Sequence, residues 1–171
     1  MRDVTAYIAL GANLGHPRAM FDAVVRGIDA RPECQVIARS RWHVTTPVGR
    51  DNQPEFLNGA IAVRTVLTPV EIFTLLQDAE ERAGRDRRAE DRWGPRVLDL
   101  DLLLYGDLTL ETPDLTIPHP RMHERSFVLD PLAEIAPFVR HPVLRRTIRD
   151  LRDAAGSASS KPLTDAGLGR V

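Results

Sequence analysis

Apolar residues alternate with polar or small ones from Val4 to Leu10, the period of a strand with one buried face, and the run ends at Gly11-Ala12-Asn13-Leu14-Gly15, which reads as a turn. The spacing then lengthens to that of a helix. Met20, Val24 and Ile28 fall on one side of a segment that Pro17 can begin. Gln35 to Thr45 reads as extended again, and TTPVGRDNQP, residues 45–54, predicts a long loop of the kind that often carries function. Phe56 to Val63 is the next strand. Thr68-Pro69-Val70-Glu71 is a capping box with proline at the first helical position, followed by the stripe Ile72, Leu75, Leu76, Ala79 and Ala83 and closed by Gly84. Val97 to Tyr105 is the last clear strand.

Strand, helix, strand, strand, helix, strand is the order of two split β-α-β units. It predicts an α+β fold, a ferredoxin-like α/β sandwich with a mainly antiparallel sheet and flanking helices on one face. The C-terminal third is less regular, with turns near Pro113 and Pro118 and short helices expected at Leu132 to Ile135 and Thr147 to Ala155. Residues 1–155 are expected to form one domain. Residues 156–171, GSASSKPLTDAGLGRV, offer little to bury and are expected to be a mobile tail.

Composition narrows the function more than the fold. A formal net charge of -1 gives no whole-molecule attraction for nucleic acid or an acidic membrane. The N-terminal apolar stretch is too short and too broken by glycine for a signal peptide or a span, so a cytoplasmic protein is the expectation; a monomer is expected as well. Cys34 is the only cysteine, which excludes an internal disulfide and a multi-thiolate zinc site. Lys161 is the only lysine and lies between Ser160 and Pro162, so there is no P-loop. If the chain handles a nucleotide, arginine and metal must carry the charge.

The stretch WGPRVLDLDLLLYG supplies a place for them. In a strand, Asp99 and Asp101 share one face, with Tyr105, while Leu98, Leu100 and Leu102 take the other. Paired carboxylates repel, and burial disfavours their charge, so they need positive partners. Arg96 stands just before the strand, and Arg85, Arg87, Arg88 and Arg92 crowd the loop that feeds it. An Asp-x-Asp alone is more often a wet face than a site. With these arginines, it suits magnesium, which takes one or two carboxylates and completes its shell with water and phosphate, and arginine forks onto phosphate oxygens. Phe56 and Asn58, also two apart in a strand, suit a planar heterocycle, although each has a commonplace structural reading too. His119 and His123 are four apart but lack a third metal ligand.

With those residues in view, the chain resembles the 6-hydroxymethyl-7,8-dihydropterin pyrophosphokinases of folate biosynthesis. The similarity runs over about residues 6–137, through AYIALGANLG, TTPVGRDNQPEFLNGA, WGPRVLDLDLLLYG and IPHPRMHERSFVLDPLAEIAP. It implies a ferredoxin-like fold and transfer of pyrophosphate from ATP to the pterin hydroxymethyl group, with AMP leaving. It also implies two Mg2+ ions on Asp99 and Asp101, and assistance to the transferring group from Arg85, on a closing loop, and Arg96. Gln77, Glu80, Arg87, Trp93, Arg96, Leu102, Thr116, His119 and Arg125 match ATP-side positions. Thr45, Pro47, Val48, Phe56, Asn58 and Phe127 match the pterin pocket, with the ring between the two phenylalanines.

Departures accompany the match. Phe56 stands where tyrosine is frequent, Pro120 and Asp114 replace an aromatic and a basic residue, and the charged loop is about one residue longer, which leaves Arg87 and Arg88 interchangeable in alignment. Two other classes fit parts of the pattern. A glycosyl or nucleotidyl transferase would use Asp-x-Asp but leave the Phe56/Asn58 pair unexplained. A non-catalytic RNA-binding module would want basic residues where this sheet has acids.

Overall fold

The computed structural model describes residues 3–46, 54–84, 96–156 and 161–162. Strand β1 (Val4–Ala12) leads into helix α1 (Pro17–Asp29), and the expected strand over 35–45 is two strands, β2 (Cys34–Arg39) and β3 (His43–Thr45). Both pair antiparallel with β4 (Phe56–Thr65). Between them the ladder is completed by a side chain, since the Ala60 amide donates to the Ser40 hydroxyl at 2.9 Å and the Ser40 amide to the Ala60 carbonyl at 2.9 Å. Helix α2 (Pro69–Arg82) and strand β5 (Asp99–Tyr105) follow. β5 lies on the outside of β1, giving the order β5, β1, β4, then β3, with the two-residue β8 (Lys161–Pro162) beyond it. The remaining residues of the expected tail after Gly156 lie outside the described residues.

Helices cover both faces of this sheet, not one. On the first, Phe21 and Ile28 of α1 and Ile72 and Leu76 of α2 pack on Ile8, Leu10, Ile61, Val63, Leu100 and Leu102. On the second, α3 (Ser126–Ile135) and α4 (Ile148–Ala155) bring Val128, Leu129, Leu132 and Leu151 against Ala9, Ala60, Leu103 and Leu104. The reason lies in β1 and β4, which are apolar on both sides and need two covers. α3 begins six residues earlier than expected. Pro131 sits inside it at the sixth position, past the first turn where a missing amide goes unnoticed, which made the sequence look broken there.

One extra residue matters more than the rest. Ile8 pairs with Leu102 and Tyr7 with Leu104, so Leu103 is a bulge. After it the alternation is reversed. Tyr105 therefore joins the α1–α2 core, its hydroxyl donating to the Leu67 carbonyl at 2.7 Å, and does not share a face with Asp99 and Asp101 as simple alternation predicts.

The capping box that starts α2 forms as expected, Thr68 accepting from the Glu71 amide at 3.3 Å and Glu71 from the Thr68 amide at 2.7 Å. Those bonds from Thr68 hold the Glu71 carboxyl below its ordinary value. A depressed carboxylate contributes stability above its unfolded value, and that contribution disappears as pH falls through the folded one. Thr68→Ala is expected to lower the melting midpoint at pH 7 by about 3 °C, and the gap from the native chain should narrow in acid. Melts at pH 7 and pH 3 check this; an equal gap at both would contradict it.

Candidate active site

Tyr105 apart, the residues of the larger sheet that the sequence marks as candidates lie on neighbouring strands, β3, β4 and β5, around β1. Gly11 of β1 pairs with Asn58 of β4 on one side and Asp99 of β5 on the other. Because Gly11 has no side chain, nothing separates the amide from the carboxylate: a Cβ there would sit 3.5 Å from Asn58 Oδ1 and 3.9 Å from the Asp99 Cβ. Further along β4, Phe56 lies opposite Thr45, and Asn58 Nδ2 donates to Thr45 Oγ1 at 2.7 Å. Thr45, Phe56 and Asn58 thus form one continuous wall beside the two aspartates.

Each aspartate has cationic or polar company. The Arg96 guanidinium donates to Asp99 Oδ2. Arg125 Nη1 is 3.9 Å and His119 Nε2 is 3.8 Å from Asp101 Oδ2. Burial, and then the charge of Arg125, lower the His119 pKa to about 4, so its imidazole is neutral near pH 7. Its Nδ1 accepts the Arg121 amide at 3.2 Å, which leaves the proton on Nε2, facing Asp101. The His119 backbone is tied to the bulge, its amide donating to the Leu103 carbonyl at 2.9 Å. The bulge thereby docks the Pro-His-Pro segment beside the acids. Burial also lowers the Arg125 pKa, although a guanidinium stays charged at any working pH.

Two residues hold the acidic strand in place. Asn13, read in sequence only as part of a turn, is buried; its Oδ1 accepts the Arg96 amide at 2.8 Å, its own amide donates to the Arg96 carbonyl at 3.0 Å, and its Nδ2 reaches the Pro54 carbonyl at 3.3 Å. Glu80 is 0% exposed, and its Oε1 accepts the Leu100 amide at 2.7 Å, between the two aspartates. It grips the outer edge of β5. Neither role was visible in the sequence, because each depends on a partner far along the chain, 83 residues away for Asn13 and 20 for Glu80.

The other expected nucleotide-side residues are spread more widely. Leu102 points into the α1–α2 core, so only its backbone, at the outer edge of β5, faces outward. Gln77 lies one helical turn before Glu80 on α2. Thr116, on the short strand β7 (Thr116–Ile117) paired with β6 (Leu110–Glu111), and His119 line a cleft of about 430 Å³ with Glu111 and His123. Phe127 lies in the first turn of α3, with the Arg125 guanidinium carbon 5.8 Å from its ring centre. Arg85, Arg87, Trp93, Pro47 and Val48 lie outside the described residues.

A family model for 7,8-dihydro-6-hydroxymethylpterin-pyrophosphokinase matches residues 7–137. The chain belongs to that family. A 2-amino-4-hydroxy-6-hydroxymethyldihydropteridine pyrophosphokinase of Pseudomonas aeruginosa is 43% identical over 136 residues, 80% of this chain and 83% of that protein. One from Bacillus subtilis is 45% identical over 130 residues, 76% and 77% of the two chains. Among solved structures, the wild-type Plasmodium falciparum HPPK-DHPS with pteroate superposes with a TM-score of 0.70 at 15% identity, covering 90% of this chain and 42% of that one. A triple mutant of the same protein gives 0.70 over 90% and 43%. At that identity the likeness speaks for the fold of this pyrophosphokinase family member, and the chain spans less than half of the Plasmodium protein.

Proposed function

We propose that the chain binds ATP and 6-hydroxymethyl-7,8-dihydropterin on the α3 face of its sheet and joins them there. The reaction is the family's: pyrophosphoryl transfer in folate biosynthesis, with ATP as co-substrate. The hydroxymethyl oxygen attacks the β-phosphorus in line and loses its proton, the new O–P bond replaces the bond to the α/β bridging oxygen, and AMP departs with that oxygen. The observation that carries this reading is the short span between the Asn58–Thr45 wall and the Asp99/Asp101 pair, with side-chain-free Gly11 between them.

Asp99 and Asp101 are the residues we assign to two Mg2+ ions. The donor set fits: Asp99 and Asp101, both partly exposed, present hard carboxylate oxygens on one face of β5. That set calls for an ion that completes its shell with water and phosphate, as magnesium does. When bound, such ions supply neutralisation of the phosphates and acidification of the attacking hydroxyl. The chain's own residues do the rest. Arg96, its backbone anchored by Asn13, and Arg125 offer guanidinium forks to phosphate oxygens. His119 offers a neutral N–H donor on the same side. Phe56 and Phe127 are assigned to the two faces of the pterin ring, Thr45 and Asn58 to its edge, Pro47 and Val48 to the same pocket. Gln77, Glu80, Arg87, Trp93, Leu102 and Thr116 are assigned to the ATP side, and Arg85 with Arg96 to the moving group.

No described helix is long and apolar enough to cross a membrane. We further propose a cytoplasmic monomer, with residues 1–155 as the catalytic unit and 156–171 as its tail. The deciding experiment incubates the chain with ATP, Mg2+ and the pterin alcohol and separates the nucleotides. AMP in step with pterin diphosphate is the expected result. Release of ADP, or consumption of ATP without the pterin, would sink the reading.

A further inference from the structure

We infer that Glu134 is a positioning residue for the pterin side of the site, acting through His43; this rests on the functional reading above. Neither residue matches a ligand-contacting position in the resemblance, and their connection is made only by the fold. Glu134 lies near the C-terminal end of α3, the helix whose first turn carries Phe127 and whose preceding residue, Arg125, reaches Asp101. From there its carboxylate grips the strand that bears Thr45. Oε2 accepts the Arg41 amide at 2.9 Å, and Oε1 accepts Arg41 Nη2 at 2.8 Å, Arg41 Nε at 3.2 Å and His43 Nε2 at 2.9 Å. A carboxylate only accepts, so His43 presents Nε2–H to it. Burial opposes the charge on Glu134, but the bonds from Arg41 and His43 outweigh that, and the carboxyl titrates below its ordinary range.

What the grip controls follows from register. His43 is directly opposite Asn58, and Thr45 directly opposite Phe56. Strand β3 is three residues long, and its outer neighbour β8 only two, so few ladder bonds fix its place. The position of Thr45 decides which way the Asn58 amide faces. With Nδ2 spent on Thr45 Oγ1, the carbonyl Oδ1 turns toward Gly11 and the open span in front of Asp99. A slide of β3 would break the 2.7 Å bond and release the amide to turn over, exchanging an acceptor for a donor at the edge a heterocycle would meet. The His43 side chain is only 6% exposed, so water cannot readily replace Nε2–H against Glu134. Arg41, at 64% side-chain exposure, is the outer half of the clamp and His43 the half that reaches the site.

A merely structural clamp would lower stability and reduce all kinetic constants together. A positioning residue for one substrate splits them. Steady-state AMP formation by the full chain, with each substrate varied, makes the distinction. For Glu134→Ala the KM for the pterin alcohol should rise about tenfold or more, the loss of a buried charge-assisted bond, while kcat and the KM for ATP stay within about threefold. His43→Leu should do the same. His43→Gln, whose amide nitrogen takes the place of Nε2, should stay within about threefold of native in every constant. The double variant Glu134→Ala/His43→Leu should be no worse than Glu134→Ala alone, because that change already removes the bond His43→Leu deletes. Binding of the pterin alcohol beside a non-hydrolysable ATP analogue gives a second readout. If Glu134→Ala does not fold, the His43→Leu and His43→Gln pair decides. Parallel losses in both KM values and kcat, an unchanged pterin KM in folded His43→Leu, or failure of His43→Gln to restore it would each overturn the inference. A native chain that makes no AMP overturns the functional reading and this one with it, whereas an active native chain with indifferent variants overturns this one alone.

Discussion

Asp101→Ala should cut the rate of AMP formation by about 10³-fold or more, the scale seen when one preorganised electrostatic group is removed from a transition state, while leaving the fold in place. Both halves of that expectation come from where the residue sits. Its side chain is 31% exposed, on a strand whose other face is packed by Leu100 and Leu102, so truncation empties no core. It also relieves the repulsion between two carboxylates on one face. The melting midpoint should therefore stay within about 2 °C of native. Asp99→Ala should be as damaging, and it also removes the carboxylate that accepts from the Arg96 guanidinium. Calorimetry of the Mg2+-ATP complex should show binding weakened alongside turnover. A folded Asp101→Ala chain retaining a tenth of native activity would remove this strand from the chemistry.

Gly59→Ala should fail in the opposite way, through the fold. A Cβ on Gly59 would lie 2.3 Å from both Cε3 and Cζ3 of Trp42, the body of a buried ring and not the tip of a flexible chain. The indole cannot swing aside, because Phe21 stands edge-on at 5.0 Å between ring centres and the Arg39 guanidinium covers it at 5.0 Å. Overpacking of this kind costs about 3 kcal/mol, which for a chain of this length lowers the melting midpoint by about 10 °C. Adding Trp42→Leu should return part of the loss by making room. Thermal melts of the single and double variants settle the matter; a Gly59→Ala midpoint within 2 °C of native would mean that the strand and ring separate easily. Gly59 lies mid-strand, and its missing side chain is what lets the Trp42 ring pack there.

The order of elements and the Asp99/Asp101 pair were legible because each rests on local signals: period-two alternation, a capping box that forms as written, and arginines crowded before an acidic strand. The family resemblance was legible in its motifs. What escaped depended on distance along the chain or on one residue. The bulge at Leu103 hides inside three successive leucines, where neither face is marked by a polar residue. Asn13 and Glu80 take their meaning from Arg96 and Leu100, and Glu134 from a strand 91 residues before it. Both helices of the second layer were expected, but Pro131 disguised the first half of α3, and their place on the opposite face was not read although doubly apolar β4 called for a cover.

The span across Gly11 has a consequence for how such a chain would measure its ligands. Asn58 and Asp99 sit on strands separated by β1 alone, so the gap between them is set by two interstrand spacings, about 10 Å in all. Backbone hydrogen bonding fixes that width far more rigidly than any side chain could. The sheet is then a gauge: on the proposed reading it would hold the flat ring and the charged tail of a reacting pair one strand apart, and a bulky residue at position 11 would fill that gap, its Cβ already 3.5 Å from Asn58 Oδ1 and 3.9 Å from the Asp99 Cβ.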